Sequence, residues 1–151
     1  MANTQAMTTS FKNEILQAYH NFGTTVTRGS TAADTFKAAL YYTTASLGAG
    51  TTAYSATGEV SGTNYSAGGV TVTNATAPTT SGTTAYWTPS ASLSYTNVTI
   101  STAFDSVLIY NSTQSNRAVS VHTFGAQTVT AGTFTLTMPT NAAGTALLNI
   151  A

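Results

Sequence analysis

Chemistry near neutral pH needs titratable or nucleophilic side chains, and this sequence holds few. Its acids are Glu14, Asp34, Glu59 and Asp105, and its histidines are His20 and His122. General acid–base catalysis wants two such groups facing one pocket. Asp105, His122 and any of fifteen serines could be combined on paper into a Ser–His–Asp set, yet no Gly-x-Ser-x-Gly elbow presents a nucleophile. The two histidines and four scattered carboxylates lack metal-ligand spacing, with neither a His-x-x-x-His pair nor an EF-hand loop. Cysteine is absent, which removes disulfides, thiolate ligands and thiol nucleophiles. The stretch from Gly62 to Gly69 lacks the Gly-Lys-Ser/Thr ending of a phosphate cradle and reads as turns. The expectation is a protein that is not an enzyme, with no catalytic residue, no cofactor and no metal. His122 is expected on a solvated sheet face or at an interface, and His20 on the rim of a helix.

Composition narrows the class. Only 5% of the 151 residues are charged, four basic against four acidic, where about 25% is usual. A chain so poor in Lys and Arg is not built to hold nucleic acid through phosphates. Thr and Ser number 34 and 15. Thr is β-branched and suits the wet face of a sheet, so hydroxyls take the solubilising role of Lys and Glu. An almost uncharged surface with net charge +0 favours association. Apolar runs such as Val107–Tyr110 fall far short of the ~20 residues that span a bilayer. Residues 1–7 lack the basic and apolar regions of a signal peptide. The expectation is a chain made in a cytoplasm, with no membrane partner.

The elements follow from periodicity. Residues 1–9 read as an extended segment. Phe11, Ile15, Leu16 and Tyr19 recur at helical spacing after the Thr8-Thr9-Ser10 hydroxyls, and Gly23 is a stop, so a helix is predicted over residues 10–22. That helix is either a lid on one end of a sandwich or an anchor on a partner. From residue 24 to 151 the period is two, in one β-sandwich domain. Phe36, Ala38, Leu40 and Tyr42 alternate as a half-buried strand. Residues 45–69 read as a Gly-rich excursion. Tyr86 and Trp87 mark a strand that Pro89 ends. The apolar parity slips between Tyr95 and Val98, which predicts a bulge or turn near Asn97. Val107-Leu108-Ile109 is apolar on both faces and reads as a central strand. Asn111–Asn116 and Ala131-Gly132 read as turns, and Leu147–Ile150 as a last strand or docked tail. Eight or nine short strands with one N-terminal helix predict an all-β fold, an antiparallel β-sandwich of jelly-roll type.

Several blocks carry a likeness. They are Ser10-Phe11-Lys12, Glu14-Ile15-Leu16 and His20-Asn21-Phe22, then Asp34 through Tyr41, Thr52-Ala53-Tyr54, Glu59 through Thr63, and Tyr65 through Gly69. Further on stand Leu108 through Thr113, Asn116 through Val119, Phe124-Gly125, Gly132 through Thr135, Pro139, and Ala146-Leu147-Leu148 with Ile150. In their order and spacing these resemble a family of small virion structural proteins of tailed bacteriophages. The resemblance implies a capsid cement, or decoration, protein. It would sit on the outer capsid surface and bridge subunits of the major capsid protein, with copies of itself as further partners. The alternative is a tail or tail-fibre protein that binds host-surface carbohydrate. The family supplies no catalytic residues. Affinity would come from apolar and aromatic area and from strand pairing. Phe11, Ile15, Tyr19, Tyr54, Tyr65, Arg117, Leu148 and Ile150 are the candidate interface residues. Arg117 is also a candidate to hold the Asn111–Asn116 turn or to cap Asp105.

Overall fold

A computed structural model describes residues 3–8, 10–11, 15, 19–22, 33–73 and 77–150. The described residues form an all-β, antiparallel body of eight strands. They are β1 (Ala6–Met7), β2 (Phe36–Tyr42), β3 (Val70–Thr71), β4 (Thr79–Ser81), β5 (Thr84–Trp87), β6 (Leu93–Asn111), β7 (Arg117–Leu136) and β8 (Leu148–Ile150). One sheet has the order β1-β7-β6-β2-β3 and a smaller one β4-β5-β8. A sequential hairpin, β6–β7, forms the middle of the larger sheet, rather than the two interleaved Greek keys of a jelly roll.

The strand β2 has the predicted limits, but it is not half-buried. Phe36, Ala38 and Leu40 enter one core with Val107, Ile109, Val119 and Trp87. Ala39 and Tyr41 enter a second, on the opposite face, with Leu108, Tyr110, Ala118 and Val121. Alternate side chains point to opposite faces, so the run Ala38–Tyr42, apolar at every position, needs cover on both sides. The Gly-rich excursion supplies part of the second cover through Ala45, Leu47 and Tyr54. Between Tyr42 and Val70 it forms only isolated bridges, including Tyr41 with Glu59 and Thr63 with Thr99.

The two long strands correct the expectation of many short ones. Asn97 (φ 52°) marks a register shift between Tyr95 and Val98, at the predicted slip. Ala131 (φ 45°) and Gly132 lie inside β7 rather than in a turn. A left-handed residue absorbs one extra residue and bends the strand without ending it. The predicted Asn111–Asn116 turn is present. The Asn111 side chain accepts the Thr113 and Gln114 amides at 3.1 Å each, an Asx arrangement that starts the reversal.

The N-terminal helix predicted over residues 10–22 does not reach its predicted end among the described residues. Much of that span lies outside them. Ser10, Phe11 and Ile15 have helical backbone, whereas Tyr19–Phe22 has no regular structure. Aromatic packing replaces the amphipathic stripe there. Phe22 stacks on Phe36 at 4.4 Å and lies 4.7 Å from Trp87.

Candidate interaction surfaces

Four of the eight candidate interface residues converge. Phe11, Ile15, Leu148 and Ile150 line one apolar recess of about 180 Å³, with His20, Phe22, Pro78, Ala85, Tyr86 and Trp87. Phe11 and Leu148 are buried and belong to its floor; Ile150 stands 45% exposed. The small sheet builds one wall, because β5 and β8 pair Trp87 with Leu148 and Ala85 with Ile150. Phe11 meets His20 edge-on at 4.8 Å and Phe22 at 5.8 Å. A recess with so little polar lining binds by excluding water from apolar surface.

Tyr19 and Arg117 form a second patch. The Arg117 guanidinium lies 4.4 Å from the Tyr19 ring centroid, inside the range of a cation–π contact. Tyr19 and Ile150 are the exposed large hydrophobics among the described residues. The Arg117 amide bonds the Gln114 carbonyl and so helps close the turn. Asp105 meanwhile accepts the Asn3 side-chain amide at 2.7 Å.

Tyr54 and Tyr65 meet elsewhere, at Glu59. The Glu59 carboxylate is buried, and it accepts the Tyr54 hydroxyl at 2.6 Å, the Tyr65 hydroxyl at 2.8 Å and the Gly68 amide at 2.7 Å. Tyr65 accepts the Leu40 amide in turn, so the cluster ties the excursion to the edge of β2. Burial, then the bond to Glu59, pushes the Tyr54 hydroxyl up to about 12. Burial, with Glu59 nearby, raises Tyr41, Tyr65, Tyr95 and Tyr110 as well. These phenols stay protonated as donors. The excursion is therefore pinned at its centre rather than offered as bare backbone. Glu59 was invisible as an anchor in the sequence, where nothing in the irregular excursion shows that Tyr54 and Tyr65 fold back onto it.

His20 is placed differently from expectation. His20 does not ride a helix rim. Its Nδ1 lies 3.1 Å from the Asn111 amide nitrogen, which also donates to Asp34 Oδ2 at 2.7 Å. Asp34 further accepts the Asn21 backbone amide and the Gln114 side chain. This network fastens residues 20–21 to the β6–β7 turn. His122 lines a different recess of about 230 Å³ with Val107, Ile109, Leu136 and Met138, and its Nε2 lies 2.9 Å from Ser120 Oγ. Burial lowers its pKa to about 4, so it is a neutral packed ring rather than a solvated one.

Among the described residues no group of three or more His, Asp or Glu is arranged to hold a metal ion. No helix there is long and apolar enough to cross a membrane. No family model matches the chain, nor does any curated protein or solved structure.

Proposed function

We propose that this chain is a non-enzymatic bacteriophage capsid cement protein that binds the outer surface of the major capsid protein lattice and bridges neighbouring subunits. The observation that carries the reading is the apolar recess with Ile150 at its mouth, on a protein with 5% charged residues. A protein with so few charged side chains binds chiefly through apolar area and backbone pairing. Many modest contacts of that kind act together when symmetry repeats them. Localisation on the capsid surface and association with other copies belong to the same proposal. It requires a layered β body and not the jelly-roll form.

Quantifying the chain in purified particles tests this. Hundreds of copies per virion, with heads that burst more readily under heat or osmotic shock when the chain is removed, are the expected result. Absence from mature particles, or unchanged robustness without it, would overturn the reading. Tens of copies or fewer, with glycan binding by the isolated protein, would replace it with a tail-associated role.

A further inference from the structure

The β6–β7 hairpin has two long margins, and the fold treats them differently. The margin of β6 is covered. β2 pairs along it from Phe104 to Asn111, and further out the excursion closes on it, with Thr63 bridging Thr99 and the Asn64 amide donating to the Asn97 carbonyl at 2.8 Å. The margin of β7 is bare over most of its length. Among the described residues the excursion lies against its start, with Ala53 bridging Arg117 and the Ala118 amide bonding the Thr52 carbonyl, and β1 lies against the next stretch, with Ala6 opposite Val121 and Met7 opposite Ser120. From Thr123 to Leu136 no strand follows among the described residues. At about 3.3 Å per residue this margin is about 45 Å long.

Exposed edges are usually blunted with Lys, Pro, inward charges or bulges. This one has only the bulge at Ala131: residues 118–151 contain no Asp, Glu, Lys or Arg, and Pro139 lies beyond the strand. Thr128, Thr130, Thr133 and Thr135 stand exposed along it. We propose that the bare margin of β7, Thr123–Leu136, pairs antiparallel with the same margin of a second copy of this chain, about a two-fold axis.

The occupant follows from three observations. An edge laid antiparallel on itself is self-complementary by symmetry, and a margin without charge meets neither repulsion nor an ion to desolvate. Threonines facing one another across such a seam form favourable pairs. The margin is also continuous with the β1–β7 pairing, where it already accepts a strand. Assembly stops at two, because both copies use the same margin. The opposite border of the sheet is the two-residue β3, too short to continue the array. The inference deepens the self-association part of the proposed function, but it concerns the isolated chain, so its failure is separable from that of the capsid reading.

Sedimentation of the purified full chain across a hundredfold range of concentration is the test. The native protein is expected to be a dimer that dissociates on dilution. Thr128→Lys, Thr133→Lys and Thr135→Lys together should give a folded monomer, since like charges would meet across the seam. Thr57→Lys, Ser66→Lys and Asn141→Lys, on exposed positions elsewhere, should leave the dimer intact. Hydrogen exchange of the native protein gives a readout that does not depend on the variants folding. Amides within Gln127–Leu136 should exchange at least tenfold more slowly at high concentration than at low. A native monomer throughout, a triple-lysine dimer, or exchange independent of concentration would each overturn the proposal. So would protection of these amides only in the assembled particle, which would assign the margin to a capsid strand.

Discussion

The Tyr65 hydroxyl donates to Glu59 Oε1 at 2.8 Å. This bond joins two residues of an excursion without strands of its own, and it lies where β2 would otherwise show a bare edge. A buried carboxylate is costly unless its lone pairs are filled. Here two phenols and one backbone amide fill them.

Replacing Glu59 with Ala should therefore cost more than a lost contact. It would leave the Tyr54 and Tyr65 hydroxyls and the Gly68 amide without their acceptor, a loss of about 2–4 kcal/mol in denaturant unfolding. Glu59→Gln keeps one oxygen and should cost less. Limited proteolysis of Glu59→Ala should cut first within residues 45–69. An Ala variant as stable as the native chain would show that the cluster is not an anchor.

Gly69 makes the same point through backbone. Its φ is +71°, and a Cβ there would overlap the Ala38 carbonyl oxygen. Gly69→Ala should destabilise by at least about 2 kcal/mol, from left-handed strain and from displacing the excursion off β2. Gly50, with open space around it, should accept Ala almost neutrally. Paired melting curves of the two variants check this.

The floor and the mouth of the apolar recess should separate stability from attachment. Phe11→Ala removes a ring that is 1% exposed and should cost about 3–5 kcal/mol. Ile150→Ser alters an exposed side chain and should change stability by no more than about 0.5 kcal/mol. If the recess is the attachment surface, Ile150→Ser should still weaken binding to capsid shells at least tenfold, measured by co-sedimentation.

His122 sets a pH dependence. Burial lowers its folded pKa from 6.5 to about 4. The unfolded chain takes up a proton as pH falls through 6.5, while the folded chain stays neutral until about 4. The stability present above 6.5 is thus lost progressively as pH drops from 6.5 towards 4, by at most about 3 kcal/mol. His122→Gln retains a partner for Ser120 and should flatten the slope between pH 6.5 and 5. His20 is common to both proteins and cancels in the comparison. Identical slopes would argue against a neutral buried ring.

Some of this was legible in the residues. The limits of β2, the central position of Val107–Ile109 and the slip at Asn97 all follow from side-chain parity, which is local information. Ala131-Gly132 misled for a physical reason: the residues that make a turn also make a bulge, and the choice depends on whether a partner strand continues alongside. The half-buried reading of β2 failed because Ala39 and Tyr41 look like an outward face until the excursion is laid over them. Glu59 carried no signal although its donors are five to nine residues away, since an excursion without regular structure has no period to show which side chains face one another. Tyr19 and Ile150 could be picked out as apolar residues in terminal segments, and both are exposed. Phe11 and Leu148, chosen on the same grounds, are buried.

The Asn111–Asn116 turn also orders events in time. It joins the two longest strands through five intervening residues, so their zippering closes almost no loop. Pairing β2 with β6 instead brings Phe36 to Asn111, and pairing β5 with β8 brings Trp87 to Leu148, both after far longer searches. The hairpin is thus the natural template on which the remaining strands arrive. Pulse-labelling during refolding should find amides of Val107–Ile109 and Val119–Val121 protected before those of Ala85–Trp87. The reverse order would mean that nucleation starts in the small sheet.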